Sequence, residues 1–166
     1  MIITKDNLRD IRAKHSTETI GFVTGAYHIL HPGHAWFLKE CKRNCNIFVV
    51  AIADDEITKY KRKTHLNTDQ RMYLVDSLKA VDYTVKEEMN MPPHNVSGLV
   101  RLLQPNTWFT NSDNPNLETY LNLIRKQNRH SIRQTYMKIT ARNDNGIYNI
   151  STSEIIRRIR NSHDKR

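Results

Sequence analysis

Three histidines stand at intervals of three residues in GAYHILHPGHAWFLKE, the stretch from residue 25 to residue 40. The imidazoles of His28, His31 and His34 can bind a metal ion, hydrogen-bond the oxygens of a phosphate, or pack in a core. A Pro-Gly pair separates the second histidine from the third. The spacing therefore raises three hypotheses: a zinc site, a phosphate site and a purely structural cluster.

The position of the last two histidines favours the phosphate site. His31 and His34 fall on the first turn of a predicted helix, where unpaired backbone N–H groups and the positive end of the helix dipole attract anions. Gly25 lets a ligand approach the end of the preceding strand, and Gly33 leaves the helix start without a Cβ atom. A zinc site is less favoured because carboxylate or thiolate ligands do not accompany the imidazoles. Structural histidines stay open as an alternative.

Apolar runs and amphipathic segments alternate along the chain and predict the elements that position these histidines. Residues 19–24 and 46–53 are apolar runs typical of buried parallel strands, and Pro32 begins a helix that runs to about Arg43 between them. Further strands are predicted at residues 82–86, 106–111 and 133–141, and further helices at residues 67–81, 95–104, 114–128 and 151–161. The alternation predicts an α/β fold with a mostly parallel sheet.

Length and composition limit the class of protein. The 166 residues suit one domain, and a chain with 38% hydrophobic and 26% charged residues can pack a globular core. No apolar run approaches the ~18 residues of a membrane span, and the N-terminus lacks the apolar centre of a signal peptide, so we expect a cytoplasmic protein without a membrane partner. Cys41 and Cys45 are expected to be reduced and partly buried. The net charge of +9 favours anionic partners.

Four segments carry motifs in a fixed order. They are GAYHILHPGH, then VVAIADDE with an acid after a strand, then NTDQRMYLVDSLKAVDYTV, and finally ISTSEIIRRI. Together they resemble the motifs of the HxGH nucleotidyltransferase superfamily, and in particular its cytidylyltransferase-like branch. The resemblance covers about residues 19–160. It implies a single domain, residues 1–166, with a Rossmann-like parallel sheet flanked by helices on both faces.

The resemblance also implies a reaction. A phosphate of the acceptor attacks the α-phosphate of a nucleoside triphosphate and expels pyrophosphate. His31 and His34 would bind the triphosphate and stabilise the transition state as the catalytic pair. The residues that would cradle the β- and γ-phosphates are Ser151, Thr152 and Ser153, at a helix start. Mg²⁺ would be the cofactor, held mainly by the nucleotide phosphates and water, with no metal site made by the protein.

Further site residues follow from matched positions. The family carries a catalytic lysine between its second strand and its arginine-bearing helix, and Lys61 and Lys63 of the basic stretch KYKRK are the candidates. The remaining residues matched to nucleotide binding are Gly25, Ala26, Tyr27, Gly33, Asp55, Arg71 and Asp113. Arg142 is the candidate to replace a family arginine that has no match in register.

The chain departs from the family pattern at two places. Many relatives have a hydroxyl or thiol, an aromatic residue and an acid after the first glycine, where this chain has Ala26, Tyr27 and His28. His28 suits an anionic substrate and is predicted to bind the acceptor. The glycines that relatives place before an acid are replaced by Asn111 and Ser112 here, which leaves the nucleobase open.

The expected function is transfer of CMP from CTP to a small phosphorylated alcohol or sugar. Adenylyl transfer from ATP to a sugar phosphate or a related phosphate stays open as the alternative. The resemblance also implies a homodimer. Two hypotheses of another class are a non-catalytic nucleotide binder and a nucleic-acid-binding module. The second is disfavoured because the basic residues are scattered rather than interleaved with aromatic residues on one stripe.

Overall fold

The computed structural model describes residues 1–59, 65–88, 96–111, 135–139 and 150–163. The strands are β1 (Ile2–Ile3), β2 (Ile20–Gly25), β3 (Ile47–Ala53), β4 (Tyr83–Glu87), β5 (Thr107–Asn111) and β6 (Thr135–Ile139). The helices are α1 (Leu8–Lys14), α2 (Pro32–Lys42), α3 (Asp55–Lys59), α4 (Thr68–Asp76), α5 (Val96–Leu103) and α6 (Thr152–His163). None of these described helices is long and apolar enough to cross a membrane. The helix predicted at residues 114–128 lies outside the described residues.

One parallel sheet organises the described part of the chain. Its strand order is β1-β4-β3-β2-β5-β6, and each pairing is parallel. In the centre, Phe22 of β2 pairs with Val49 of β3 on one side and with Trp108 of β5 on the other. The strand order reverses between β2 and β5, and open parallel sheets bind ligands at the carboxyl ends of the strands beside such a reversal. The predicted Rossmann-like α/β fold is confirmed.

Apolar cores cover both faces of the sheet. The first core joins the sheet to α1 and α5 through Leu8, Phe22, Val49 and Leu99. The second core joins the sheet to α2 and α4 through Val23, Leu38, Val50 and Val75. Since successive side chains of a strand point to opposite faces, a strand between two cores must be apolar throughout, as residues 47–53 are.

The helix predicted at residues 67–81 is shorter in the structure. Helix α4 ends at Asp76, Ser77 caps it, and the N–H of Val81 then donates to the carbonyl of Leu78 at 2.9 Å. This turn lets Leu78 and Val81 pack against the second core and brings the chain into β4. Helical spacing alone could not locate the end, because both apolar residues fit the helix pattern as well as the turn.

The sequence pattern predicts neither β1 nor α1. Strand β1 has two residues, with Ile2 opposite Thr84 of β4, and so short a strand leaves no readable alternation. Helix α1 contributes buried Leu8 and Ile11 to the first core. These elements add an edge strand to the sheet and a helix to one of its faces.

Both cysteines are free, as expected from their spacing. Cys41 is buried and Cys45 is half-buried. Burial raises the pKa of the Cys45 thiol to about 11 and raises that of Cys41 further. The thiolate, which is the reactive form, is therefore disfavoured at both positions.

We expect Gly21→Ala to lower the free energy of unfolding by roughly 1–3 kcal/mol. A Cβ atom at this position of β2 would lie 2.5 Å from Cε2 of Phe109 and 2.6 Å from Sγ of Cys45, so the strand or both side chains must shift. Urea unfolding followed by circular dichroism measures the loss. Adding Cys45→Ala should make the double variant lose less than the sum of the two single variants, since one obstructing atom is gone. A Gly21→Ala variant of wild-type stability would contradict this packing.

Candidate functional site

The carboxyl end of β2 and the start of α2 form the centre of the candidate site. Helix α2 begins at Pro32, and His31 is its N-cap residue, with an extended backbone at φ −143° and ψ 166°. Nδ1 of His31 accepts a hydrogen bond from the backbone N–H of His34 at 3.3 Å. This bond satisfies one N–H of the first turn, and it leaves the proton of a neutral His31 ring on Nε2.

The imidazoles of His31 and His34 are stacked. Their ring centroids are 3.7 Å apart and their planes differ by 20°. The part of the chain that the structure describes contains no group of three or more histidine, cysteine, aspartate or glutamate side chains placed to hold a metal ion. The zinc hypothesis for His28 and this pair therefore has no support in the geometry. Two imidazoles at a helix N-terminus suit an anion.

The loop after β2 packs against the stacked histidine pair through Tyr27. Tyr27 adopts a left-handed backbone with φ 48°, and its buried ring meets the His34 ring edge to face at a centroid distance of 5.1 Å. A Cβ atom on Gly25 would lie 2.7 Å from the Tyr27 ring, so only glycine allows this close packing. Burial raises the pKa of the Tyr27 hydroxyl, which stays neutral. Gly25 and Tyr27 thus position His34.

The charge of His34 depends on its surroundings. Its pKa is lowered from the usual 6.5 to about 3. Burial of the ring is the largest cause, the neighbouring imidazoles of His31 and His28 add to it, and a hydrogen bond with the backbone of Ile29 opposes it. His34 is therefore neutral at pH 7 in the ligand-free protein. A negative charge placed beside the ring favours the protonated form and raises this pKa.

The end of β3 and the start of α4 bring together the acid and the arginine of the predicted site. Oδ1 of Asp55 accepts a hydrogen bond from Arg71 at 2.8 Å, and Oδ2 accepts one from the backbone N–H of Thr68 at 3.1 Å. Burial raises the pKa of Asp55, but these hydrogen bonds lower it by more, so the carboxyl is ionised at neutral pH. Fully buried Arg71 also donates to the carbonyl of Ala26, in the loop after β2.

The predicted serine-threonine motif lies at the start of α6. Oγ of Ser151 accepts a hydrogen bond from the backbone N–H of Glu154 at 3.2 Å, which makes this serine the N-cap residue of α6. The Glu154 carboxylate accepts hydrogen bonds from Arg157 and Arg158, which lower its pKa to about 2. Ser151, with Thr152 and Ser153 after it, occupies the N-terminus of α6, and their predicted contact with phosphates stays a prediction.

One acid at the carboxyl edge of the sheet is missed by the sequence prediction. Glu87 is the last residue of β4 and is 7% exposed, and the hydroxyl of Thr24 in β2 donates a hydrogen bond to its Oε2. The predicted strand ends one residue earlier, at Lys86. The available signal was an acid at the carboxyl end of a parallel strand, the edge at which ligands bind.

Several predicted site residues lie outside the described residues, and their roles stay predictions. They are Lys61, Lys63, Asp113 and Arg142. Gly33 lies in the first turn of α2, and His28 is half-buried in the loop before it. The predicted contact of His28 with an acceptor also stays a prediction.

A family model described as cytidylyltransferase-like matches residues 22–158 of the chain. This range contains the stacked histidines, Asp55, Arg71 and the start of α6. It therefore includes the whole of the described candidate site.

Curated relatives and solved structures are similar to parts of the chain. An FAD synthase of Methanocella arvoryzae is 40% identical over 62 residues, which span 37% of this chain and 44% of that protein. An FAD synthase of Aciduliprofundum boonei is 43% identical over 63 residues, 37% of this chain and 42% of that one. The chain thus spans less than half the length of these relatives. The lipopolysaccharide core biosynthesis protein of Thermoplasma volcanium shares the fold, with a TM-score of 0.61 and 23% identity over 73% of this chain and 97% of that chain.

We expect His34 to make the fold less stable in acid. The unfolded chain takes up a proton on this histidine below pH 6.5, whereas the folded protein resists protonation until about pH 3. Stability is therefore present above pH 6.5 and is lost as the pH falls from 6.5 towards 3, at about 1.4 kcal/mol per pH unit from this group. Urea unfolding at several pH values should show a shallower acid loss in His34→Gln than in the wild type.

His65 provides the matched control for this measurement, because it is exposed. His65→Gln should keep the wild-type free energy of unfolding at pH 7. Equal slopes for His34→Gln and the wild type would show that His34 is protonated alike in both states.

Proposed function

Because the chain belongs to the cytidylyltransferase-like family, we propose that it transfers a nucleotidyl group from a nucleoside triphosphate to a phosphorylated small molecule. An oxygen of the acceptor phosphate attacks the α-phosphorus, the bond from that phosphorus to the bridging oxygen breaks, and pyrophosphate leaves. The reaction needs no covalent intermediate on the protein. Such transfers depend mainly on positioning and on neutralising charge.

The observation that carries this proposal is the stacked histidine pair at the N-terminus of α2. The positive end of a helix dipole favours an anion, and the stacked imidazoles of His31 and His34 lie at that end of α2. The pair lies at the carboxyl end of central strand β2, beside the reversal of strand order at which such sheets bind ligands. A triphosphate has the charge and shape for this position.

His34 adds a response to the charge of the substrate. Its imidazole is neutral in the ligand-free protein because its pKa is about 3. A bound triphosphate raises this pKa, and the growing charge on the leaving pyrophosphate raises it further. The interaction between the imidazole of His34 and the phosphates therefore strengthens as negative charge develops, and an interaction that is stronger in the transition state lowers the barrier.

The nucleotide donor proposed first is ATP. Relatives named FAD synthase make a product in which an adenylyl group is joined to a flavin phosphate, so their product contains the bond proposed here. CTP is the second donor, supported by the description of the family. The acceptor is a phosphate monoester, because the reaction joins two phosphates and the net charge of +9 favours anionic substrates.

Mg²⁺ is proposed to enter with the nucleotide. Within the described ranges, the side chains form no cluster of three or more metal-ligating groups. This fits a cation that is held by phosphate oxygens and water, as Mg²⁺ commonly is in nucleotide sites. Bound there, the cation supplies charge neutralisation to the phosphates, and the protein supplies the helix terminus and the imidazoles.

We expect the purified chain to release pyrophosphate from ATP or CTP when a phosphate monoester acceptor is present. A coupled pyrophosphate assay should be run over a grid of both donors against flavin mononucleotide, glycerol phosphate and sugar phosphates. The product is confirmed by mass spectrometry as the acceptor plus one nucleoside monophosphate. No turnover in any combination with Mg²⁺ would falsify the proposed function.

His34→Gln should lower the turnover number by about 10²–10³-fold, the loss typical of removing one donor to transition-state charge. The exposed His65→Gln variant should keep wild-type turnover. If the grid gives product and His34→Gln retains full turnover, the chain is a nucleotidyltransferase whose histidine pair does not act as proposed.

Chelation separates the role of the cation from that of the fold. We expect EDTA to abolish pyrophosphate release and added Mg²⁺ to restore it, with no change in melting temperature in the absence of nucleotide, because the proposed cation is held by the nucleotide phosphates and water. Thermal unfolding with and without EDTA measures the second part. A melting temperature that falls on chelation would indicate a structural metal instead.

A further inference from the structure

We propose that Arg71 is a positioning residue of the nucleotide site rather than a phosphate ligand. This inference rests on the proposed function for its activity readouts, and it assigns to Arg71 a role different from direct contact with the nucleotide. Arg71 lies in α4 and is 0% exposed. A side chain with no accessible surface can reach a substrate only if its own contacts break.

Those contacts use the whole guanidinium group. Nη1 donates to the carbonyls of Ala26 at 2.5 Å and Ala53 at 2.8 Å. Nη2 donates to Oδ1 of Asp55 at 2.8 Å and to the hydroxyl of Thr68 at 3.2 Å. Nε donates to the carbonyl of Leu66 at 3.3 Å. A guanidinium carries five N–H donors, so these five acceptors leave none for a phosphate.

The acceptors belong to three separate segments of the chain, and their positions show what the arginine fixes. Ala26 lies in the loop after β2, next to the tyrosine that packs on His34. Ala53 ends β3, and Asp55 begins α3. Leu66 and Thr68 lie at the start of α4. Arg71 therefore sets the distance between the histidine loop, the acid after β3 and the start of α4.

The same bonds hold the two sides of the basic stretch KYKRK together. Asp55 precedes this stretch and Thr68 follows it, and the carboxylate of Asp55 accepts both from Arg71 and from the backbone N–H of Thr68. Asp55 is 45% exposed, so its carboxylate reaches the surface of the site while Arg71 stays beneath it. The chain segments flanking the lysines are thus tied to one buried group.

Only a guanidinium can make this set of bonds. A lysine at position 71 would keep the charge but would have three donors on one nitrogen, which cannot meet five acceptors that surround a planar fork. A phosphate ligand behaves differently, because a lysine is an effective point charge for phosphate. The Arg71→Lys variant therefore separates a positioning role from a binding role.

The test compares Arg71→Ala, Arg71→Lys and Met72→Ala. Met72 is the matched control, since it is the next residue of α4 and its side chain is buried in the second core. We expect turnover to fall by about 100-fold in both Arg71 variants, the size of loss caused by a small misplacement of reacting groups. Met72→Ala should have a lower melting temperature than the wild type. It should keep wild-type turnover when assayed below its thermal unfolding transition.

Guanidinium ion at a non-denaturing concentration gives the decisive readout. It should restore turnover at least several-fold in Arg71→Ala, because it can refill the vacated site, and should not help Arg71→Lys or Met72→Ala. The proposal is overturned if Arg71→Lys retains most of the wild-type turnover, if guanidinium gives no rescue of Arg71→Ala, or if Met72→Ala loses as much turnover as the Arg71 variants.

Trypsin cleavage tests the proposal without any activity. The stretch KYKRK contains several trypsin sites. When each variant is assayed equally far below its own melting temperature, Arg71→Ala should be cleaved in this stretch faster than Met72→Ala. Guanidinium ion should slow the cleavage of Arg71→Ala again. Equal cleavage rates would overturn the positioning role. If the wild-type protein releases no pyrophosphate but Arg71→Ala is still cleaved faster than Met72→Ala, the proposed function is refuted and the positioning role of Arg71 stands.

Discussion

Burial of the Arg71 guanidinium is the constraint on which the site geometry depends. A fully buried charge is stable only when its donors are satisfied, and leaving even one partner out costs several kcal/mol. The five acceptors come from the loop after β2, the end of β3 and the start of α4. These segments can therefore move only together. The loop that supports the histidines is held in position because the buried guanidinium of Arg71 needs the carbonyl of Ala26 as an acceptor.

The parallel sheet provides the rigid base for this arrangement. Central strand β2 is bonded to β3 on one side and to β5 on the other, with an apolar core on each face. Parallel pairing places the carboxyl ends of the strands at one edge, so the groups that follow β2, β3 and β4 meet there without any sequence proximity. Thr24 and Glu87 are an example, since they are 63 residues apart and share a hydrogen bond.

The histidine pair shows how one local structure serves both folding and chemistry. Nδ1 of His31 caps α2, which stabilises the helix start and fixes which ring nitrogen carries the proton. Burial against Tyr27 keeps His34 neutral and leaves the ring able to respond to an anion. A fully exposed histidine would titrate near neutral pH whether or not a substrate was bound.

Patterns in the sequence predicted every described strand except β1, most of the described helices and the histidines at the start of α2, because these depend on local features. The apolar run at 47–53 can be satisfied only between two cores, and Pro32 with its flanking histidines marks a helix start. Tertiary structure alone decided that Asp55 is tied to a buried Arg71, that Glu87 is bonded to Thr24 and that Tyr27 packs on His34. Those contacts join residues brought together by strand order and by the packing of loops, and neither leaves a periodic signal. A spacing can nominate an arginine for a site, but the number of acceptors around its guanidinium is set only when the chain has folded.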